Sequence, residues 1–152
     1  MKYEVAGYEI ILSHTRQGEI KAFHNVCRHR AYPVVEGKSG NAKIFSCRYH
    51  GWSYGLDGKL AKAPKYQDMQ GFDKNQNNMF PVHVRVDTKG FIWINLDSRE
   101  VPEIAWEDDF NGIDTQDRYD QYTFEDYVLD DDYTLEGDVN CESALLLIIQ
   151  IY

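Results

Sequence analysis

The chain has 152 residues, 43% of them hydrophobic and 27% charged, with a formal net charge of −9. That is one domain's worth of sequence, long enough to bury a core. No apolar run reaches membrane-spanning length and no charged-then-apolar leader precedes the first strand pattern. An acidic chain without clustered basic and aromatic stripes is not expected to bind nucleic acid.

The chain opens directly into strand-like sequence. Tyr8-Glu9-Ile10-Ile11-Leu12 and Ile20-Lys21-Ala22-Phe23-His24 are bridged by polar turn residues that include Gln17-Gly18. Lys43-Ile44-Phe45-Ser46 runs into a Cys/His segment. Trp52-Ser53-Tyr54 and Lys59-Leu60-Ala61 then flank Gly55-Leu56-Asp57-Gly58, a hairpin signal. Val82-His83-Val84-Arg85-Val86 turns at Asp87-Thr88-Lys89-Gly90 and returns as Phe91-Ile92-Trp93-Ile94-Asn95. Short antiparallel strands with regular turn signals predict an all-β sandwich or barrel-like domain without a convincing helix.

Charge divides the chain. Residues 1–96 hold 14 Lys+Arg against 8 Asp+Glu, whereas residues 97–152 hold 2 against 17. Three segments are expected: a domain over residues 1–100, an acidic connector over 101–140, and an apolar tail over 141–152. Glu107-Asp108-Asp109 and Asp130-Asp131-Asp132 read as solvated connector. Phe110, Tyr119, Tyr122, Phe124, Tyr127 and Tyr133 supply aromatic surface with which it can dock.

Chemistry concentrates in Cys27-Arg28-His29 and Cys47-Arg48-Tyr49-His50. These are C-x-H and C-x-x-H pairs separated by 17 residues. Two thiolates and two imidazoles serve either a structural zinc or a 2Fe-2S cluster in which two His replace two Cys on one iron. Zinc ribbons usually keep like ligands together in C-x-x-C and H-x-x-x-H pairs, so ligand order and spacing favour iron. Mixed ligation brings the oxidised cluster from a formal charge of about −2 to about zero, which raises the potential into a window of roughly −150 to +300 mV. The iron on the imidazole side is then the one reduced, with the outer ring nitrogens free to meet solvent or a partner. The third cysteine, Cys141, lies far along the chain, so no disulfide scaffold is expected and a reducing compartment, the cytoplasm by default, is. His14, His24 and His83 lack metal-like partners and read as surface or satisfied strand histidines.

The stretch Phe23-His24-Asn25-Val26-Cys27-Arg28-His29-Arg30-Ala31, followed by Cys47-Arg48-Tyr49-His50-Gly51-Trp52-Ser53-Tyr54, resembles the Rieske domain of Rieske non-haem iron oxygenases. It is most similar to choline monooxygenase-like α-subunits. The resemblance implies the Rieske iron-sulfur fold, with two ligand loops at hairpin tips and Cys27, Cys47, His29 and His50 holding a Rieske-type 2Fe-2S cluster. Respiratory Rieske proteins place an extra cysteine in each loop, where this chain has Tyr32 and Tyr49. Trp52 stands in place of a serine that bonds a cluster sulfur. Fewer donors to sulfur point to a potential in the lower part of the window.

Trp52, Tyr54 and Pro33 serve as cluster shielding or as plain core and turn residues. Pro64 resembles a covering loop or a simple turn. Arg28, Arg30 and Arg48 offer either docking charge for an acidic donor or ordinary solvated charge. The resemblance also implies an NAD(P)H-linked reductase or ferredoxin as electron donor, homotrimeric full-length relatives, and a second, mononuclear Fe(II) site of two His and a carboxylate in a C-terminal domain. No histidine follows His83, and the expected pattern gives way after Asn140 to Cys141-Glu142-Ser143 and an apolar ending. The chain is therefore expected to show cluster redox without monooxygenation. A stand-alone ferredoxin-like carrier, or an inactive truncated fragment, is the alternative.

Overall fold

The computed structural model describes residues 1–128 and 149–150, apart from the side chains of Glu125 and the last pair. The described strands are β1 (Lys2–Val5), β2 (Tyr8–His14), β3 (Ile20–His24), β4 (Phe45–Ser46), β5 (Ser53–Tyr54), β6 (Leu60–Lys62), β7 (Pro81–Val86), β8 (Phe91–Asn95) and β9 (Ile149–Gln150). One sheet has the order β1-β2-β3-β7-β8-β9 and the other β4-β5-β6. The described strand pairs are antiparallel, so the all-β expectation holds.

Local chemistry sets these pairings. Ala6 and Gly7 take φ of 50° and 79°, the double left-handed turn whose twist suits a two-residue hairpin. It fixes the β1–β2 register from Val5 opposite Tyr8 to Lys2 opposite Ile11. In β2 four successive residues, Ile10 to Ser13, are buried rather than alternating, as befits a strand between two others and covered on both faces. The expected Gly55–Gly58 hairpin joins β5 to β6. Gly58 has φ of 78°, and a Cβ there would sit 2.3 Å from Phe23 Cε1, so only glycine lets the hairpin lie on that ring.

The chain divides into two compact units, Met1–Val84 with Ile94–Glu103 and Arg85–Trp93 with Ile104–Tyr152. The first holds a core of Ile11, Phe23, Val34, Phe45, Trp52, Tyr54, Leu60, Ala63 and Met79, and Cys27 and Cys47 are built into it. In the second, Asp87 organises the β7–β8 turn: Oδ1 accepts from the Lys89 and Phe91 amides, and Oδ2 from Trp93 Nε1. Trp93 packs on Trp106 and Phe110, and Phe91 on Tyr119 and Phe124.

The acidic block is less featureless than its composition implies. Glu107, Asp108 and Asp109 form the first turn of a short α-helix, α1 (Trp106–Phe110), where the amide dipoles favour negative charge. Asp108 Oδ2 accepts from the Ala105 amide at 3.1 Å, a local bond that offsets the lack of a capping side chain. Three short 3-10 turns follow, at Ile113–Thr115, Asp117–Tyr119 and Phe124–Asp126. The expectation of no helix thus misses one turn-and-a-half of α-helix. Tyr133, Asp130-Asp131-Asp132 and Cys141 lie outside the described residues. Of the apolar tail, Ile149 and Gln150 pair antiparallel with Ile92 and Phe91.

A candidate iron-sulfur centre

Both Cys/His segments fold into the same turn. Ala31 N donates to Cys27 O at 2.9 Å while Cys27 N donates to Tyr32 O at 2.9 Å. In the second loop Gly51 N donates to Cys47 O at 2.9 Å and Cys47 N to Trp52 O at 2.8 Å. The turn closes through a residue of positive φ, Ala31 at 53° and Gly51 at 73°. Alanine in that region is strained by about 1 kcal/mol, so the tertiary frame holds the first loop in place. The histidine falls two residues after Cys27 but three after Cys47. One turn therefore presents its two imidazoles differently.

The second loop sits on a hairpin tip as expected, with Phe45 opposite Tyr54 and Ser46 opposite Ser53. The first loop closes through the equivalent pair of backbone hydrogen bonds, without a described strand directly after it. It follows β3, which pairs with β2 and β7, and the buried Asn25 side chain braces its far side where no strand is described. Oδ1 accepts from the Val34 and Val35 amides at 2.9 and 2.8 Å, and Nδ2 donates to Val35 O at 2.7 Å and Glu9 Oε2 at 2.9 Å. Sequence reasoning passed over Asn25. A buried asparagine beside a ligand loop was the available signal, because its four hydrogen-bonding positions must be filled.

The four predicted residues form two pairs of like donors. The Cys27 and Cys47 thiols are free, buried and in contact with each other. Burial pushes the Cys47 thiol above its ordinary pKa, opposed by the amides of Tyr49 and His50, which donate to its sulfur. The His29 and His50 rings lie 4.6 Å apart, edge to face. His29 is half-buried and His50 exposed. Burial lowers the His29 pKa, reinforced by His50 and Arg30. His29 Nδ1 is shut off from solvent without a hydrogen-bond partner, while Nε2 lies 3.1 Å from Tyr66 Oη. Among the described residues no three His, Cys, Asp or Glu group tightly enough for a single metal ion. Four donors within roughly 2.0–2.3 Å of one point are what structural zinc requires.

Surrounding residues settle several open alternatives. Trp52 is buried and stacks on His29 at 5.2 Å with 7° between planes, so it is a core residue that also covers one face of that imidazole. Tyr54 is fully buried; its Oη accepts from the Arg28 amide at 3.0 Å, which leaves its proton for Cys27 Sγ at 3.4 Å. Burial first, and then Cys27, hold the phenol far above its ordinary pKa. The Tyr54 hydroxyl thus meets the Cys27 sulfur, a contact separate from the serine position that Trp52 occupies. Pro64 lies 3.6 Å from a Cβ built on Gly51, and the turns after it bring Tyr66 to His29.

Of the three arginines, Arg28 is structural. It donates to Asn78 O and Gln76 O and lies 4.0 Å above the Phe80 ring. Arg30 is exposed, and Arg48 pairs with Glu36 at 2.7 Å. Away from the centre, His83 Nε2 meets Arg99 O at 2.8 Å, and His24 packs against Tyr8.

Comparison with known proteins agrees with this geometry. Residues 1–73 match the Rieske [2Fe-2S] domain family. The chain is 47% identical over 89 residues to the chloroplastic choline monooxygenase of Beta vulgaris, covering 59% of this chain and 20% of that protein. It is 36% identical over 109 residues to the carnitine monooxygenase oxygenase subunit of Acinetobacter pittii, covering 67% of this chain and 29% of that one. Among solved structures it resembles the quaternary ammonium Rieske monooxygenase CntA, with a TM-score of 0.66 and 30% identity over 76% of this chain and 32% of CntA. Naphthalene 1,2-dioxygenase follows at a TM-score of 0.59 and 36% identity, over 66% and 23%. The chain thus spans between a fifth and a third of the length of these relatives. No helix among the described residues is long and apolar enough to cross a membrane. Both Cys/His loops fall inside the matched segment, and this chain carries a Rieske [2Fe-2S] domain of the kind found in Rieske oxygenase subunits.

Proposed function

We propose that Cys27 and Cys47 hold one iron of the 2Fe-2S cluster and that His29 and His50 hold the other. The observation that carries this is the unpartnered, solvent-shielded Nδ1 of His29 beside a pair of free, buried thiols. An orphaned buried nitrogen is costly unless something binds it, and iron does so. Bound there, the cluster supplies reversible one-electron chemistry in the potential range of mixed Cys/His centres.

The remaining work belongs to side chains. Cys27 and Cys47 bind as thiolates, and the Tyr49 and His50 amides and the Tyr54 hydroxyl stabilise their charge. Trp52 and the core beneath exclude water from one side. His50, exposed at the loop tip with Tyr49 packed 3.8 Å from its ring, presents the opposite side to a partner. Arg30 offers positive charge to an acidic donor, and an NAD(P)H-linked reductase or ferredoxin fits that role.

In a longer protein of the choline monooxygenase-like type, the electron would pass to a mononuclear iron in a neighbouring subunit. That fits the inter-subunit electron transfer named for CntA. The expected segments, a domain over 1–100, a connector over 101–140 and a tail over 141–152, suit this arrangement. Free thiols suit a reducing compartment such as the cytoplasm.

Electron paramagnetic resonance of the dithionite-reduced full chain tests the assignment. A mixed Cys/His signal is expected, lost in His29→Ala and Cys27→Ser. A cluster of unchanged spectrum and potential in His29→Ala would overturn it.

A further inference from the structure

We infer that Tyr66 is a positioning residue for His29 and that its hydroxyl holds the reduction potential of the centre down. The inference rests on His29 serving as a ligand through Nδ1. With Nδ1 on iron, the neutral imidazole carries its proton on Nε2, and among the described residues the side-chain oxygen that meets that nitrogen is Tyr66 Oη at 3.1 Å. Nε2–H therefore donates to the phenol. Donating that hydrogen bond polarises the N–H and makes the imidazole a stronger donor to iron, which favours the oxidised state.

The phenol is held in place. Tyr66 N donates to Ala63 O at 3.0 Å, and the preceding Lys65 takes φ of 68°. The Tyr66 ring packs edge-on against His29 at 5.2 Å and Trp52 at 5.5 Å, and tilted against Phe72 at 6.0 Å. His29 is thus clamped on three sides: Trp52 stacked on one face, His50 at its edge, and Tyr66 at its outer nitrogen. His50 has no such clamp from Tyr66 and sits exposed. Among the described residues the two imidazoles are therefore inequivalent, with His29's outer nitrogen tied to the Tyr66 oxygen and His50 at the exposed loop tip.

The test uses the full chain with its cluster, titrated potentiometrically at one fixed pH for every variant. Tyr66→Phe keeps the ring and removes only the acceptor. It is expected to shift the potential to more positive values while the reduced spectrum remains of the mixed Cys/His type. Phe72→Leu, which disturbs the same aromatic wall without touching the hydrogen bond, should leave the potential in place. An unmoved potential in a fully loaded Tyr66→Phe, or an equal shift in Phe72→Leu, overturns the role of Tyr66 but leaves His29 as ligand. A wild-type spectrum without nitrogen couplings overturns the ligand assignment instead. Should Tyr66→Phe fail to load, pulsed paramagnetic resonance of the reduced wild-type protein with 15N-histidine decides. Two distinct remote nitrogens support the clamp, and one common population overturns it.

Discussion

Replacing Asn25 by alanine should unfasten the first ligand loop. The change strips an acceptor from the Val34 and Val35 amides and donors from Val35 O and Glu9. Each buried polar group left unpaired costs about 1–3 kcal/mol. Val34 is only 5% exposed and bears that in full, whereas water can reach the half-buried Val35. A loss of about 3 kcal/mol follows, a large share of a domain stability of about 5–15 kcal/mol.

Urea unfolding of the cluster-free chain, followed by tryptophan fluorescence, should show a lower midpoint with an unchanged slope. The reconstituted protein should bleach faster in visible absorbance. Ser13→Ala is the matched control. Its Oγ is buried without a partner, so removal should be neutral or stabilising. An Asn25→Ala chain with the wild-type midpoint and undiminished cluster retention would refute the idea that this side chain braces the first loop.

Two further outcomes follow from the same geometry. Tyr54→Phe removes the hydroxyl between Cys27 Sγ and the Arg28 amide. The reduced cluster loses a donor, so potentiometry should read a lower potential, and the orphaned amide should lower stability by about 1–3 kcal/mol in the same urea assay. Acid should also weaken the domain. Lys2 first, and then Asn25, hold the Glu9 carboxyl below its ordinary pKa. A depressed folded pKa means stability that is present above the unfolded pKa and lost as pH falls through the folded one. Glu9→Gln should flatten that acid limb in unfolding midpoints measured across the carboxylate range; an unchanged limb would remove Glu9 from the account.

Much of the centre was readable along the chain. Donor identity is local: C-x-H and C-x-x-H place a thiol and an imidazole on one short turn whatever surrounds it, and the hairpin after His50 announces itself through Gly55 to Gly58. Strand pairs β2–β3 and β7–β8 were legible because short apolar runs and the turn residues between them act over a few positions. The helical turn at Trp106–Phe110 was not, since five residues make too short a period to stand out against an acidic run.

Sequence by itself determined which atoms can bind metal and that the module is built of β-strands. Only the tertiary structure decided how the two imidazoles differ. Tyr66 lies 37 positions from His29, and Tyr54 lies 27 from Cys27. Such hydrogen bonds leave no periodic trace because nothing in the intervening chain depends on their spacing. The same holds for Asn25, whose partners at Glu9 and Val35 are set by how β2 passes the first loop. Side chains that tune or brace a site act through space, and folding alone brings them within reach.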